Sequence, residues 1–237
     1  MQISMPTIDL ICDEQEIYGQ LLPLDQAKII ELGCGKADKT RAIAKLGKVD
    51  FILALEVDAI QHANNLTATG LPNVRFELGC AEDIPAKDAS ADIVLMFKSL
   101  HHVPLDKMDK ALAEIHRVLK PGGLAYISEP IYAGEFNEIL RLFHDEKQVR
   151  EAAFAAVERA VSSKLMMLVT QKFFKTPMHF DDFAQFEEKV INVTHTHHEF
   201  SPELYDAVRA EFAQHMSAQG ADFFMPIRVD LLRKAPG

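Results

Sequence analysis

From residue 28 to about residue 130, apolar and polar positions alternate between two periods. Short apolar runs bounded by turn residues occur at KIIEL (28–32), FILALEV (51–57), NVRFELG (73–79), DIVLMFK (92–98) and LAYISE (124–129). Their length and near-continuous hydrophobicity predict strands covered on both faces, as in a parallel sheet. Residues 38–47, 58–69 and 105–119 carry helical patterns between them. In the last of these, Met108, Leu112, Ile115 and Leu119 recur at the spacing that lines one helix face. Strands alternating with helices predict a doubly wound α/β sheet. Ligands of such sheets gather at the carboxyl ends of the strands, where strand order reverses.

Beyond Pro130 the alternation stops. Phe136, Ile139, Leu140 and Phe143 make one helical stripe, and EAAFAAVERAV (151–161) predicts a second helix. The run KLMMLVTQKFFKTPMHF has no clear period, and DDFAQFEEKV is helical in pattern again. We therefore expect a single domain over residues 1–237, with 131–189 as a helical lid insert at the open edge of the sheet. Such a lid either encloses a substrate or only adds packing. A strand is expected at 190–198. After it, a helix should run from Ser201, an N-cap followed by Pro202, to about residue 219, with Gly220 as its stop. The last strand is expected within FFMPIRVDLLRK.

Composition narrows the partners. The chain has 237 residues, 48% of them hydrophobic, and a formal net charge of -10, which is ordinary for a globular protein. No lysine- or arginine-rich block offsets that charge, so nucleic acid is not an expected partner. Cys12, Cys34 and Cys80 form no CxxC pair, which fits free thiols in a reducing compartment. The opening MQISMPTIDL lacks the pattern of a signal peptide, and no apolar run approaches the roughly 20 residues of a membrane span. A cytoplasmic protein without a membrane partner is expected.

The first strand leads into IIELGCGKADKT (29–40). A phosphate-binding P-loop needs more residues between its glycines and a Lys-Ser or Lys-Thr ending, and GCGKAD offers neither. A dinucleotide fold wants GxGxxG, yet Asp38 stands where the third glycine belongs, and a carboxylate beside a pyrophosphate is repulsive. Glu31 adds a second acid before the loop. Glu56 ends the second strand about 21 residues beyond Gly35, the distance at which a carboxylate reaches a ribose lying across the first crevice. These residues ask for a ligand with a ribose, a positive charge and little phosphate. S-adenosylmethionine (SAM) meets that description.

Four segments, IIELGCGKAD, LALEVDA, ELGCAEDIPAKDASADIVLMFKSLHHV and EIHRVLKPGGLAYISEP, follow one another in the order and at the spacing of the class I SAM-dependent methyltransferases, and the chain resembles that family over roughly residues 27–130. It looks most similar to small-molecule methyltransferases of the quinone-biosynthesis type, which share LHHV and RVLKPGG. The resemblance implies a Rossmann-like, seven-stranded, mostly parallel sheet with an antiparallel last strand. It also implies that Gly33, Cys34 and Gly35 touch the methionine and ribose portion of SAM, with Glu31 facing the ammonium. Glu56, followed by Val57, would take the ribose diol. Cys80, Ala81 and Glu82 would lie beside adenine, although the family often has Asp where Cys80 stands. Phe97 opens the stretch to Leu100 that would line the cofactor near its sulfonium.

Methyl transfer from a sulfonium chiefly needs alignment, plus a base where the acceptor carries a proton. Candidates at the strand ends are Lys98, His101, His102 and Glu129. Each has a structural alternative: a packed lysine stem, pocket packing by the LHH phrase, or a strand-end acid. THTHHEF (194–200) puts His195 and His197 on one strand face and His198 on the other, but spacing alone assigns no metal. An NPPY-like element is missing after the fourth strand, where FKSL stands instead. The expected function is transfer of a methyl group from SAM to a small-molecule O, N or C acceptor. A non-catalytic SAM-binding module, a macromolecular methyltransferase and a nicotinamide oxidoreductase are the rivals.

Overall fold

The apolar runs form strands, and all of them join one sheet. The structure, a computed structural model, describes residues 1–192 and 199–236. Its strands are β1 (Lys28–Leu32), β2 (Phe51–Glu56), β3 (Val74–Leu78), β4 (Ala91–Phe97), β5 (Leu119–Pro130), β6 (Met167–Phe180), β7 (Met216–Ser217) and β8 (Gly220–Arg233). The main path runs β3-β2-β1-β4-β5-β8-β6, with the two-residue β7 paired to β8. Strands β1 to β5 are parallel, and β8 is antiparallel to both β5 and β6. The expected seven-stranded path with an antiparallel last strand is thus present, with β7 as a short addition. Strand order reverses between β1 and β4, which places a crevice at their carboxyl ends.

The helices are α1 (Glu14–Leu21), α2 (Asp38–Lys45), α3 (Ala59–Leu66), α4 (Met108–Val118), α5 (Glu135–Leu140), α6 (Lys147–Ser162), α7 (Phe183–Phe186) and α8 (Pro202–Ala213). Asp13, Asp58 and Ser201 cap α1, α3 and α8 by accepting hydrogen bonds from first-turn amides. Successive strand residues feed opposite layers, because side chains alternate across a sheet. Ile30, Leu53, Val94 and Ala125 face α4 and α6, whereas Ile29, Ile52, Ile93 and Tyr126 join a core with α1 and α2. Arg117 at the end of α4 fastens the loop before β4 by donating to the carbonyls of Ile84 and Ala86.

The lid differs from expectation. Within 131–189, α5, α6 and α7 are helical, but residues 167–180 form a 14-residue strand paired along almost all of β8. The aperiodic run reads poorly because an edge strand packs unevenly and leaves several side chains half exposed. Strand β5 ends at Pro130 opposite Ile227, and β6 and β8 continue for six further pairs, from Lys175↔Pro226 to Phe180↔Ala221. At about 3.4 Å per residue this overhang stands roughly 20 Å beyond the carboxyl edge. It carries a third core, in which the Phe180 ring lies 5.5 Å from that of Phe186, 6.0 Å from Phe223 and 6.1 Å from Phe212. The overhang is therefore a strand stem bearing a cap with its own aromatic core. Of the strand expected at 190–198, Val190 and Ile191 belong to a π turn (Glu187–Ile191), and most of the rest lies outside the described residues. No helix among the described residues is long and apolar enough to cross a membrane.

Candidate active site

The loop after β1 is shaped by two glycines. Gly33 has φ 68°, and a Cβ there would come 2.8 Å from the Cβ of Ser99, whose hydroxyl donates to the Leu32 carbonyl at 2.7 Å. Only glycine relieves both the left-handed backbone and that contact. Gly35 has φ 52° and no atom within 4 Å of where its Cβ would stand, so the loop faces open space there. Glu31, at the end of β1, is buried, and one of its oxygens accepts from the Thr40 hydroxyl at 2.6 Å. Burial pushes its pKa up to about 7 against the opposing effects of Thr40 and Lys39.

Glu56 is the organising group of the crevice. Its Oε2 accepts from the Gly35 amide at 2.7 Å, and its Oε1 accepts from the amides of Val57 and Asp58 at 2.9 and 3.0 Å. The spacing of 21 residues thus becomes direct contact between the β2 end and the glycine loop. Asn65 of α3 holds the same loop by donating to the Gly35 carbonyl at 2.7 Å. Val57, next to Glu56 in the chain, is 67% exposed. The Cys34 thiol is buried beside Asn65, and burial raises its pKa far above the ordinary range, as befits an inert loop residue.

On the β3 side, Glu56 lies in register with Leu78, so the segment carrying Cys80, Ala81 and Glu82 starts beside it. Ala81 is buried, and Glu82 accepts from Lys107 at 3.1 Å. Burial raises the Glu82 pKa, but its backbone hydrogen bond and Lys107 outweigh that and leave it lowered. Burial, followed by the nearby Glu82 charge, raises the Cys80 thiol. Phe97 closes β4 with its ring 5.7 Å from Tyr18 and 5.5 Å from Tyr126.

Comparison with known proteins decides what this architecture is. Residues 29–123 match the methyltransferase domain family. An uncharacterized methyltransferase of Bacillus subtilis, YcgJ, is 29% identical over 184 residues, 72% of this chain and 71% of its own length. Demethylmenaquinone methyltransferase of Chlorobaculum parvum is 33% identical over 109 residues, 45% of this chain and 42% of that protein. The chain spans 42% of the length of the Mycobacterium methyltransferases it matches at 33% identity. The crystal structure of YcgJ superposes with a TM-score of 0.67 at 18% identity, covering 94% of this chain and 99% of that one, a likeness of fold. Residues 29–123 carry a methyltransferase domain.

In this methyltransferase domain the catalytic candidates fall into two groups. Lys98, just past β4, has φ 54° and donates its amide to the Ser128 carbonyl at 2.8 Å. It is partly exposed, and so uncommon a backbone for lysine marks an outlier at the strand end. His102 is exposed, with its ring 4.1 Å from that of His101.

His101 and Glu129, by contrast, are 4% and 1% exposed. Expected to face substrate, Glu129 instead turns inward: it accepts from the Leu100 amide at 2.9 Å and meets His101 Nδ1 at 2.5 Å. His101 Nε2 lies 3.5 Å from Glu146, which also meets His144 at 3.0 Å and Arg150 at 2.5 Å. Burial alone would lower the His101 pKa, but the Glu129 and Glu146 carboxylates raise it to about 9. Glu129 is likewise burdened by burial, yet the His101 charge holds it below the usual carboxylate range.

Thr40, Asn65, Ser99, Glu146 and Arg150 are residues that sequence patterns did not single out. Asn65 left the clearest trace, a polar residue on the inward face of α3. His195, His197 and His198 lie outside the described residues.

Proposed function

We propose that this protein moves a methyl group from SAM to a small-molecule O, N or C acceptor held under the phenylalanine-rich cap, the whole chain acting as one domain. The observation that carries this reading is the Glu56 carboxylate, fixed by three backbone amides beside the open ground at Gly35. That cradle suits a ribose diol and offers no ring of amides for a pyrophosphate. When bound, SAM supplies a methyl already activated on a sulfonium. Glu56 would hold the ribose, Glu31 would face the ammonium, and Val57 with the Cys80 to Glu82 segment would flank adenine. Phe97 and Lys98 would stand toward the reactive end.

Lys98 and His102 are the candidates that can meet an acceptor directly, so proton removal or steering of an oxyanion falls to them. Glu129 acts only through His101. A small acceptor suits a cap that stands over the carboxyl edge, and the demethylmenaquinone-specific name of the Chlorobaculum relative points the same way. The net charge of -10 disfavours nucleic acid, and three free cysteines fit the cytoplasm.

A non-catalytic SAM-binding module is favoured by one observation: Glu129, His101, Glu146 and Arg150, all buried, fill the space beyond β4 and β5. Incubation with methyl-labelled SAM and a panel of phenols, quinols, amines and thiols separates the two. Label transfer with one class of acceptor supports the enzyme. Tight binding of S-adenosylhomocysteine with no transfer to any acceptor supports the module.

A further inference from the structure

We propose that His101, His102 and Glu146 form a site for a divalent transition-metal ion of the zinc class, set between the end of β4 and the start of α6. One ligand atom from each of these residues lies within 4.8 Å of the others.

The separation of two of them fits a shared ion. His101 Nε2 and Glu146 Oε1 stand 3.5 Å apart, longer than the 2.7–3.2 Å or so of a direct N–H···O bond. Two ligand atoms each about 2.1 Å from a tetrahedral ion are separated by about 3.4 Å.

The surrounding shell is already built. Glu129 takes His101 Nδ1 at 2.5 Å and is itself fixed by the Leu100 amide, so the imidazole presents Nε2 outward. A carboxylate behind a ligating histidine is the usual support of a zinc-binding imidazole. Arg150 holds the other oxygen of Glu146 at 2.5 Å and is braced by Asn137 Oδ1 at 3.0 Å. His144 Nε2, 3.0 Å from Glu146 Oε1, is near enough to join as a fourth ligand or to remain bonded to that carboxylate.

Two imidazoles and one carboxylate suit zinc, cobalt or nickel rather than magnesium or calcium, which prefer all-oxygen sets. His102 is exposed, so the ion would keep a position open toward solvent for water or for the heteroatom of an acceptor. Because Glu146 opens α6 and the histidines lie in the turn after β4, the ion would also tie those two segments together.

The test uses the full chain stripped with a chelator, then titrated with Zn²⁺ alone by calorimetry and with Co²⁺ alone by visible absorption. The expected result is one equivalent of Zn²⁺ and the intense d–d bands of four-coordinate Co²⁺. His102→Ala, at an exposed position that leaves the fold intact, should weaken binding about 10-fold or more, and Glu146→Gln likewise. Glu129→Gln should weaken it about 10- to 100-fold by releasing the His101 ring. Absence of stoichiometric binding, or a weak octahedral Co²⁺ spectrum, would overturn the proposal. So would binding that survives His102→Ala and Glu146→Gln, including binding that instead vanishes when His195, His197 and His198 are all changed to Ala.

Discussion

Glu56→Ala removes the group on which the cofactor reading turns, and its effect follows from hydrogen-bond capacity. A carboxylate has about four acceptor positions, and three are occupied by the amides of Gly35, Val57 and Asp58. A ribose diol needs two, so it takes the vacant one and displaces or shares the Gly35 bond. Each bond to a charged acceptor contributes about 1.5–3 kcal/mol, and the displaced amide returns roughly 1 kcal/mol of that to the cost of binding. The net loss on removing the carboxylate is therefore at least about 2 kcal/mol, or about 30-fold or more in Kd. Calorimetry with S-adenosylhomocysteine should show that loss in Glu56→Ala and a smaller one in Glu56→Gln, which keeps one acceptor oxygen. Circular dichroism checks that the loop's altered amides have not cost the fold. Wild-type affinity in a folded Glu56→Ala protein would refute the reasoning.

Four further outcomes are expected. Glu31 is protonated in the fold below about pH 7, whereas an unperturbed Glu ionises from 4.5, so its contribution to stability declines as pH rises from 4.5 to 7. A cationic ligand favours the ionised form, so SAM affinity should rise as pH passes upward through about 7, and Glu31→Gln should flatten that rise in calorimetry across pH. Gly33→Ala combines φ 68° with a Cβ 2.8 Å from Ser99 and should cost at least about 1–2 kcal/mol by urea denaturation. Phe186→Ala empties the centre of the cap core and should cost about 3–5 kcal/mol, seen as faster hydrogen exchange in α5, α7 and α8 while β1 to β4 stay protected. Lys98→Met should leave S-adenosylhomocysteine affinity unchanged and lower kcat once an acceptor is in hand; unchanged kinetics would make Lys98 a structural residue.

What could be read in the sequence tracks how each element packs. Strands β1 to β5 were legible because the inner ones are covered on both faces, which writes an unbroken apolar run, although β5 starts earlier than expected and takes in Pro121, Gly122 and Gly123 as an irregular stretch. β6 was not legible, since it is an edge strand whose far half leaves the sheet to carry the cap, so no single period describes it. α1 escaped as well, being eight residues long with only Ile17 and Tyr18 as buried hydrophobic positions.

At the site, Gly33, Gly35 and Glu56 were legible because a strand, a loop and a strand of fixed length force them together. The inward turn of Glu129 was not, because its partner His101 stands 28 residues away and only the pairing of β4 with β5 joins them. Glu146 lies beyond both, at the edge of α6, where nothing in its neighbours marks it as a partner of a histidine 45 residues earlier. The left-handed backbone of Lys98 is likewise set by the exit from β4 rather than by any preference of lysine.

A crystal structure of the chain with S-adenosylhomocysteine tests the central claim most directly. The ribose hydroxyls should lie within hydrogen-bonding distance of the Glu56 carboxylate, with the amino-acid portion against Gly33 and Gly35 and its ammonium toward Glu31. An empty crevice under saturating ligand, or one that binds a dinucleotide with its pyrophosphate on the glycine loop and Glu56 turned from the sugar, would contradict it.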